Sequence, residues 1–323
     1  MGNVSLSERS GVPFSRLLVV ILTFTGAARS NAAQFSFVPG DYYSSTDGSD
    51  LITQYTPAGA AVGSLTVPGT ASVRGIAFAP DGLLYATTVQ GAGFSVFVMN
   101  SGGTVEQTYS SSVYVQGNLS FGQLAVNSHY LYVGGQDVLT EFAIGEPNSG
   151  KVIYQNNQIF GIAQTPNGNL WVASAYEIQE ITPAGAVLAT VPGRFVDLRG
   201  IAYDAAANSL FATELGFTGS FFQLMRLDAT SGAIEASTSF TYGNNLFLTQ
   251  SGDLLVGSRT QSAGIFDKDL NQIGTLDNGP QLFVTADPVP EPGTAALLTG
   301  GAGLLLAARR FLKQGTWAST VKG

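Results

Sequence analysis

The chain has 323 residues, 11% of them charged, with 40 glycines, 20 phenylalanines, 12 tyrosines, one histidine and no cysteine. The missing cysteines exclude disulfides, thiolate metal sites, iron–sulfur clusters and a cysteine nucleophile, and a lone histidine excludes a His-rich metal centre. The formal charge is −8 overall, but between residues 33 and 292 there are 7 basic and 21 acidic residues, a local charge of −14; such a body repels nucleic acid and anionic membrane surfaces.

Residues 1–33 have the three regions of a secretory signal peptide. Arg9 and Arg16 are its basic start, Leu17 to Ala28 are 12 apolar or small residues, and small residues follow, with a cut expected after Ala32 or Ala33. The apolar run is too short for a good spanning helix. Signal peptidase and the secretion machinery are therefore expected partners, and the mature chain is expected to start near Gln34 outside the cytoplasm.

From residue 34 to 287 one pattern recurs. RGIAFAPDGLLYATT starts at Arg74, FGQLAVNSHYLYVGG at Phe121, FGIAQTPNGNLWVAS at Phe160, RGIAYDAAANSLFAT at Arg199 and NNLFLTQSGDLLVGS at Asn244. Each is an apolar strand, a turn of Pro, Asp, Asn or Gly, and a second apolar strand, the pattern of a β-hairpin. A second hairpin follows each, clearest in LITQYTPAGAAVGSLTV (51–67) and EIQEITPAGAVLATV (177–191). Two hairpins make a four-stranded unit of about 40 residues, and repetition at that period predicts an all-β fold, a β-propeller. Six outer hairpins but five inner ones are present. The sixth inner hairpin is assembled from QLFVTAD (281–287) as innermost strand and DYYSST (41–46) as its neighbour, closing one blade with both ends of the domain. Six blades are expected; seven would leave too few residues for each.

The repeats resemble NHL and SMP-30/gluconolactonase-like propellers in their Gly-Ile-Ala strand, Pro-Asp/Asn-Gly turn and Leu-aromatic-Val-Ala strand. In such a disc the first residues of the innermost strands ring one mouth of the channel: Arg74, Phe121, Phe160, Arg199 and Asn244. The two arginines suit a carboxylate, uronate or phosphate, or else each pairs with a nearby acid such as Asp197 or Glu214. The loops at 87–95 and 213–222 bring Phe94, Phe217, Phe221 and Phe222, either to stack on sugar rings or to pack between blades. The resemblance to metal-dependent lactonases implies Glu, Asn and Asp ligands near the axis. Only Asn244 of the ring could ligate, beside two arginines that disfavour a cation. No metal site, cofactor or catalytic residue is assigned, and His129 falls in a turn away from that mouth.

After the body, Pro288, Pro290 and Pro292 break regular structure, and the 16 uncharged residues 293–308 would make roughly 24 Å of helix. Val289-Pro290-Glu291-Pro292, this apolar run and Arg309-Arg310 resemble the PEP-CTERM sorting signal of exported Gram-negative proteins, over residues 288–313, with a short tail at 314–323. The resemblance implies a membrane-anchored intermediate, cleavage by an exosortase near the Pro-Glu-Pro, final placement at the cell surface or outside, and a link to exopolysaccharide and biofilm. The expected function is a non-enzymatic binding or scaffold module for a polysaccharide or envelope protein. The alternative is an SMP-30-like hydrolase using a divalent cation and loop carboxylates such as Asp41, Asp137 and Glu177; a purely structural matrix component is a third reading.

Overall fold

The computed structural model describes residues 35–286 apart from 47, 70–71, 91–92, 112–122, 136, 157, 194, 216–221, 241–242 and 282. The expected signal peptide with Ala32 and Ala33, and the expected sorting signal with Val289, Pro290, Glu291, Pro292, Arg309 and Arg310, lie outside the described residues. Among the described residues no helix is long and apolar enough to cross a membrane.

The described chain is a six-bladed β-propeller built from antiparallel sheets. The first sheet outward from the axis holds β1 (Tyr42–Ser45), β2 (Leu51–Tyr55) and β3 (Ala61–Thr66). The second blade is β4 (Val73–Phe78), β5 (Leu84–Gln90), β6 (Gly93–Met99) and β7 (Val105–Ser111). The third is β8 (Leu124–Val126), β9 (Tyr130–Gly134), β10 (Val138–Ala143) and β11 (Lys151–Gln155). The fourth is β12 (Ile159–Gln164), β13 (Leu170–Ser174), β14 (Ile178–Ile181) and β15 (Val187–Thr190). The fifth is β16 (Leu198–Asp204), β17 (Ser209–Leu215), β18 (Phe222–Asp228) and β19 (Ile234–Ser239).

The sixth blade is β20 (Gly243–Leu248), the long β21 (Leu254–Phe266) and β22 (Gln272–Gln281). The first half of β21 pairs with β20, as in Phe247 with Leu255, and its last residues pair with β22, as in Ile265 with Gly274. One continuous strand thus fills both middle places. The chain then returns to the first blade as β23 (Phe283–Ala286), which pairs with β1 from Tyr42–Ala286 to Ser45–Phe283. QLFVTAD and DYYSST therefore join as expected, and the ring closes through a ladder between the two ends of the domain.

The core is not central. Six apolar clusters lie one in each gap between neighbouring blades. This explains why the second strand of each repeat reads as a continuous apolar run. In β13, Leu170 and Val172 pack toward the third blade, and Trp171 and Ala173 toward the fifth. Near the axis both faces of a sheet are covered, so in a strand such as β13 neither set of alternating residues meets water. The outermost strands face solvent, and all four residues of β15 are exposed.

The Gly-Ile-Ala motif has a steric origin. A Cβ on Gly161 would lie 2.8 Å from both Cγ2 and the backbone N of Ile201 in the next blade, and one on Gly200 would lie 2.7 Å from the carbonyl oxygen of Asn244. The glycine lets neighbouring innermost strands approach, while the following Ile fills the wedge. Polar staples support the gap between blades five and six. Arg226 donates to Glu235 at 3.0 Å and reaches across to the Lys268 carbonyl at 2.8 Å and Asp269 at 3.1 Å. Lys268 in turn pairs with Asp204 at 2.5 Å. Burial alone would raise the Asp204 carboxyl, but the Lys268 ammonium and the backbone N–H groups of Ala206 and Ala207 together outweigh it and hold the group below the usual carboxylate range.

Gly161→Ala tests the close approach without a backbone complication, since only the added methyl is at issue. Overpacking of this kind costs about 1–3 kcal/mol, so the thermal midpoint followed by circular dichroism is expected to fall by several degrees. An unchanged midpoint would mean that the innermost strands part freely.

Candidate functional site

The two mouths of the channel differ. All innermost strands begin at one end, called here the upper mouth, and finish at the lower mouth. At the upper mouth three strands carry the same irregularity. Val73 pairs with Thr88 and Gly75 with Thr87, leaving Arg74 as the extra residue. Ile159 and Gly161 pair with Ser174 and Ala173, leaving Phe160. Leu198 and Gly200 pair with Glu214 and Thr213, leaving Arg199. In the sixth blade the shift falls between Gly243 and Leu246, over Asn244 and Asn245. Four of the five ring residues expected from the sequence, Arg74, Phe160, Arg199 and Asn244, thus sit at bulges, and a bulge frees a side chain from the sheet's alternation and re-aims it. The bulges in blades four and five follow non-glycine residues in the left-handed region, Gln158 and Asp197, both with φ 58°.

At the upper mouth two of these residues pack on each other. The Arg199 guanidinium carbon sits 4.3 Å above the centre of the Phe160 ring, a cation–π contact. Its Nη2 donates to Asp197 at 2.5 Å. Phe160, Arg74 and Asn244 are all buried, and the Asn244 amide nitrogen has no hydrogen-bond partner among the described residues. Of the two readings of Arg199, the pairing with Asp197 is the one formed, and it locally neutralises the guanidinium. Glu214 instead accepts the backbone N–H of Val196.

The third blade departs from the sequence alignment. Leu124 lies opposite Val133, which corresponds to Ile76 opposite Ala86, so the third repeat is offset by one residue. Phe121 itself lies outside the described residues. Gln123 then occupies the place of the motif's glycine, and its buried side chain reaches past the fourth blade to donate to the Arg199 carbonyl of the fifth at 3.4 Å.

Below these residues lies a cavity of about 250 Å³ to which all six innermost strands contribute, from Ile76 in β4 to Val284 in β23. Arg74, Phe160, Arg199 and Asn244 do not line it. Its wall includes Phe78, Val126, Gln164, Tyr203 and Leu248, each at the motif place that follows Ala or its equivalent. The signal for these residues was in the repeats: Gly-Ile-Ala recurs because it packs, whereas the next place differs in every copy. Asn245 lines the cavity too, and its Oδ1 accepts the Val284 N–H at 2.9 Å, tying β20 to the closing strand.

The remaining expectations resolve separately. Phe94 and Phe222 are buried, with Phe94 in the wedge between blades two and three; Phe217 and Phe221 lie outside the described residues. His129 is in the turn between β8 and β9, with Nδ1 2.8 Å from the Ser128 hydroxyl. Asp41 accepts from Gln54 at 2.7 Å beside the start of β1. Glu177 joins a different network, accepting from Asn156 at 2.6 Å and from Gln179 at 3.3 Å between blades three and four. Asp137 precedes β10, and its carbonyl accepts the Asn156 N–H at 3.1 Å. Asp41 belongs to the lower end of the first blade, Asp137 and Glu177 to the upper ends of the third and fourth. No group of three or more His, Asp or Glu residues that could hold a metal ion occurs among the described residues.

Residues 153–176, from β11 to the loop after β13, match the family model described as two component regulator propeller. The fold is similar to that in the crystal structure of a nidogen/laminin complex, with a TM-score of 0.58 and 14% identity over 76% of this chain and 98% of that one. It is also similar to a protein of unknown function from Bacteroides caccae (TM-score 0.53, 13% identity, 76% and 98% covered). A functionally unknown protein from Desulfotomaculum acetoxidans gives a TM-score of 0.53 at 10% identity, with 77% and 99% covered. No curated protein matches. At these identities the likeness is one of fold.

Burial raises the Glu214 carboxyl above the usual glutamate range, and the Val196 N–H offsets part of the rise. The folded chain therefore holds this proton to a higher pH than the unfolded chain does, and stability falls as pH climbs from the ordinary glutamate value through the raised one. Glu214→Gln keeps an oxygen for the Val196 N–H and removes the charge. Its thermal midpoint is expected to exceed the wild type's at neutral pH and to vary less between about pH 4 and 7. Midpoints that track the wild type over that range would refute the assignment.

Proposed function

We propose that the chain is an exported cell-envelope or extracellular protein of the PEP-CTERM type whose propeller is a rigid binding or scaffold module. The observation that supports a division between address and body is the completeness of the ring. Strands between Tyr42 and Ala286 fill every blade, so residues 288–313 are not needed for the fold and serve as a detachable signal. Their three-part order of Val289-Pro290-Glu291-Pro292, a 16-residue uncharged run and Arg309-Arg310 suits a temporary membrane anchor. Residues 1–33 supply export through the secretion machinery and signal peptidase, and an exosortase is the processing partner. A body with 7 basic and 21 acidic residues between positions 33 and 292 disfavours nucleic acid and fits a partner of neutral or mixed charge, such as an exopolysaccharide or an envelope protein.

Replacing Pro290, Glu291 and Pro292 by alanine is expected to leave the protein in the membrane fraction with its tail attached, read by mass spectrometry of the C-terminal peptides. A secreted, soluble wild-type form that still carries Lys322 would sink the sorting assignment.

A further inference from the structure

We propose that the cavity at the lower mouth binds a neutral saccharide unit, which gives the binding module proposed above a ligand class and a site. The chemistry of the wall carries the inference. No charged side chain lines the cavity among the described residues; its polar side chains are the amides of Gln123, Gln164 and Asn245 and the phenol of Tyr203. The amide nitrogen of Gln164 has no hydrogen-bond partner among the described residues. Aromatic rings come from Phe78, Tyr203 and Phe247 on three different blades.

The backbone adds to this set. β4, β8, β12, β16, β20 and β23 each end a sheet and pair on one side only. Their other edges face the axis and offer alternating N–H and C=O groups. Such a wall needs a ligand whose groups both donate and accept, carries no charge and has an apolar face for the rings. A sugar hydroxyl donates and accepts, and the C–H face of a pyranose packs on an aromatic ring. Carboxylates and phosphates fit badly here, since no cation lies in the wall to replace their water. The volume of about 250 Å³ is below the roughly 300 Å³ where sites for drug-sized ligands begin, which suits one or two sugar rings.

The upper mouth has a different character. There Arg199 is engaged by Phe160 and Asp197, and Gln123 reaches the Arg199 carbonyl beneath them. The cavity lies on the other side of these contacts, toward the turns between β4 and β5, β12 and β13, and β16 and β17. Tyr203 also lies 6.0 Å from Trp171, ring centre to ring centre, so occupation of the cavity is expected to alter the fluorescence of that indole.

The test uses the full chain and titrates glucose, galactose, N-acetylglucosamine, maltose and cellobiose, with galacturonate and inorganic phosphate as charged probes. Binding is followed by calorimetry and saturation-transfer NMR. At least one neutral sugar is expected to bind more tightly than either charged probe. Gln164→Leu and the blocking variant Ala163→Phe, each shown by circular dichroism to retain the fold, are expected to weaken that binding about tenfold or more. Arg199→Ala, at the other mouth, is expected to leave it within about twofold. Failure of every neutral sugar to bind, or binding lost on Arg199→Ala and kept in the two cavity variants, overturns the proposal. Sorting is read independently: an uncut tail with intact sugar binding refutes the address alone, and correct sorting without sugar binding refutes this site alone.

Discussion

Four residue pairs hold the ring shut. β23 and β1 meet from Tyr42–Ala286 to Ser45–Phe283, and the rest of the disc depends on that joint. Each blade lacks a core of its own, since the apolar clusters lie between blades. Opening the joint would unseat β23 from the sheet that packs against both the second and the sixth blade, and so expose apolar surface on two wedges. The hydrogen bond from the Val284 N–H to Asn245 adds a link from the closing strand to the sixth blade at the axis. The closure is noncovalent, in keeping with a chain that has no cysteine.

Within the repeats, shared and varied residues divide the work. Glycines such as Gly161 and Gly200 serve the close approach of neighbouring blades, and the Ile that follows fills the gap. The bulge ahead of them puts Arg74, Phe160 and Arg199 at the upper mouth, where Arg199 is engaged by Phe160 and Asp197. The residue after Ala or its equivalent differs in each blade and contributes to the lower cavity. It also meets the wedges: Phe78 belongs to the cluster between blades one and two, and Val126, Tyr203 and Leu248 pack against the clusters beside them. Variation in this ring of side chains is therefore matched to the packing on either side of it.

Most of the architecture could be read from the residues, because period, turn chemistry and apolar runs act locally. The pairing of QLFVTAD with DYYSST followed from counting hairpins, since a closed ring leaves no strand unpaired. Three features were harder. The offset of the third blade depends on register, and FGQLAV looks like FGIAQT until Leu124 is seen opposite Val133. The union of two middle places in the single strand β21 has no compositional mark. The lower cavity is formed by six segments far apart in the chain, and the variation from Phe78 to Gln164 to Tyr203 looked like noise beside the recurring Gly-Ile-Ala. For Arg199 both a ligand and the Asp197 carboxylate satisfied the same chemistry, and only the geometry separates them.

The register of the closing ladder also has a mechanical meaning. Tyr42 and Ala286 are a directly opposed pair, so a pull between the segment before β1 and the segment after β23 loads the ladder from that end. The bonds then part in sequence, as in a zipper, rather than sharing the load in shear. A protein tethered by one end alone carries no such load, because tension runs into the fold at only one point. Held at both ends, the same disc would yield first at its own seam, leaving the other blades to follow.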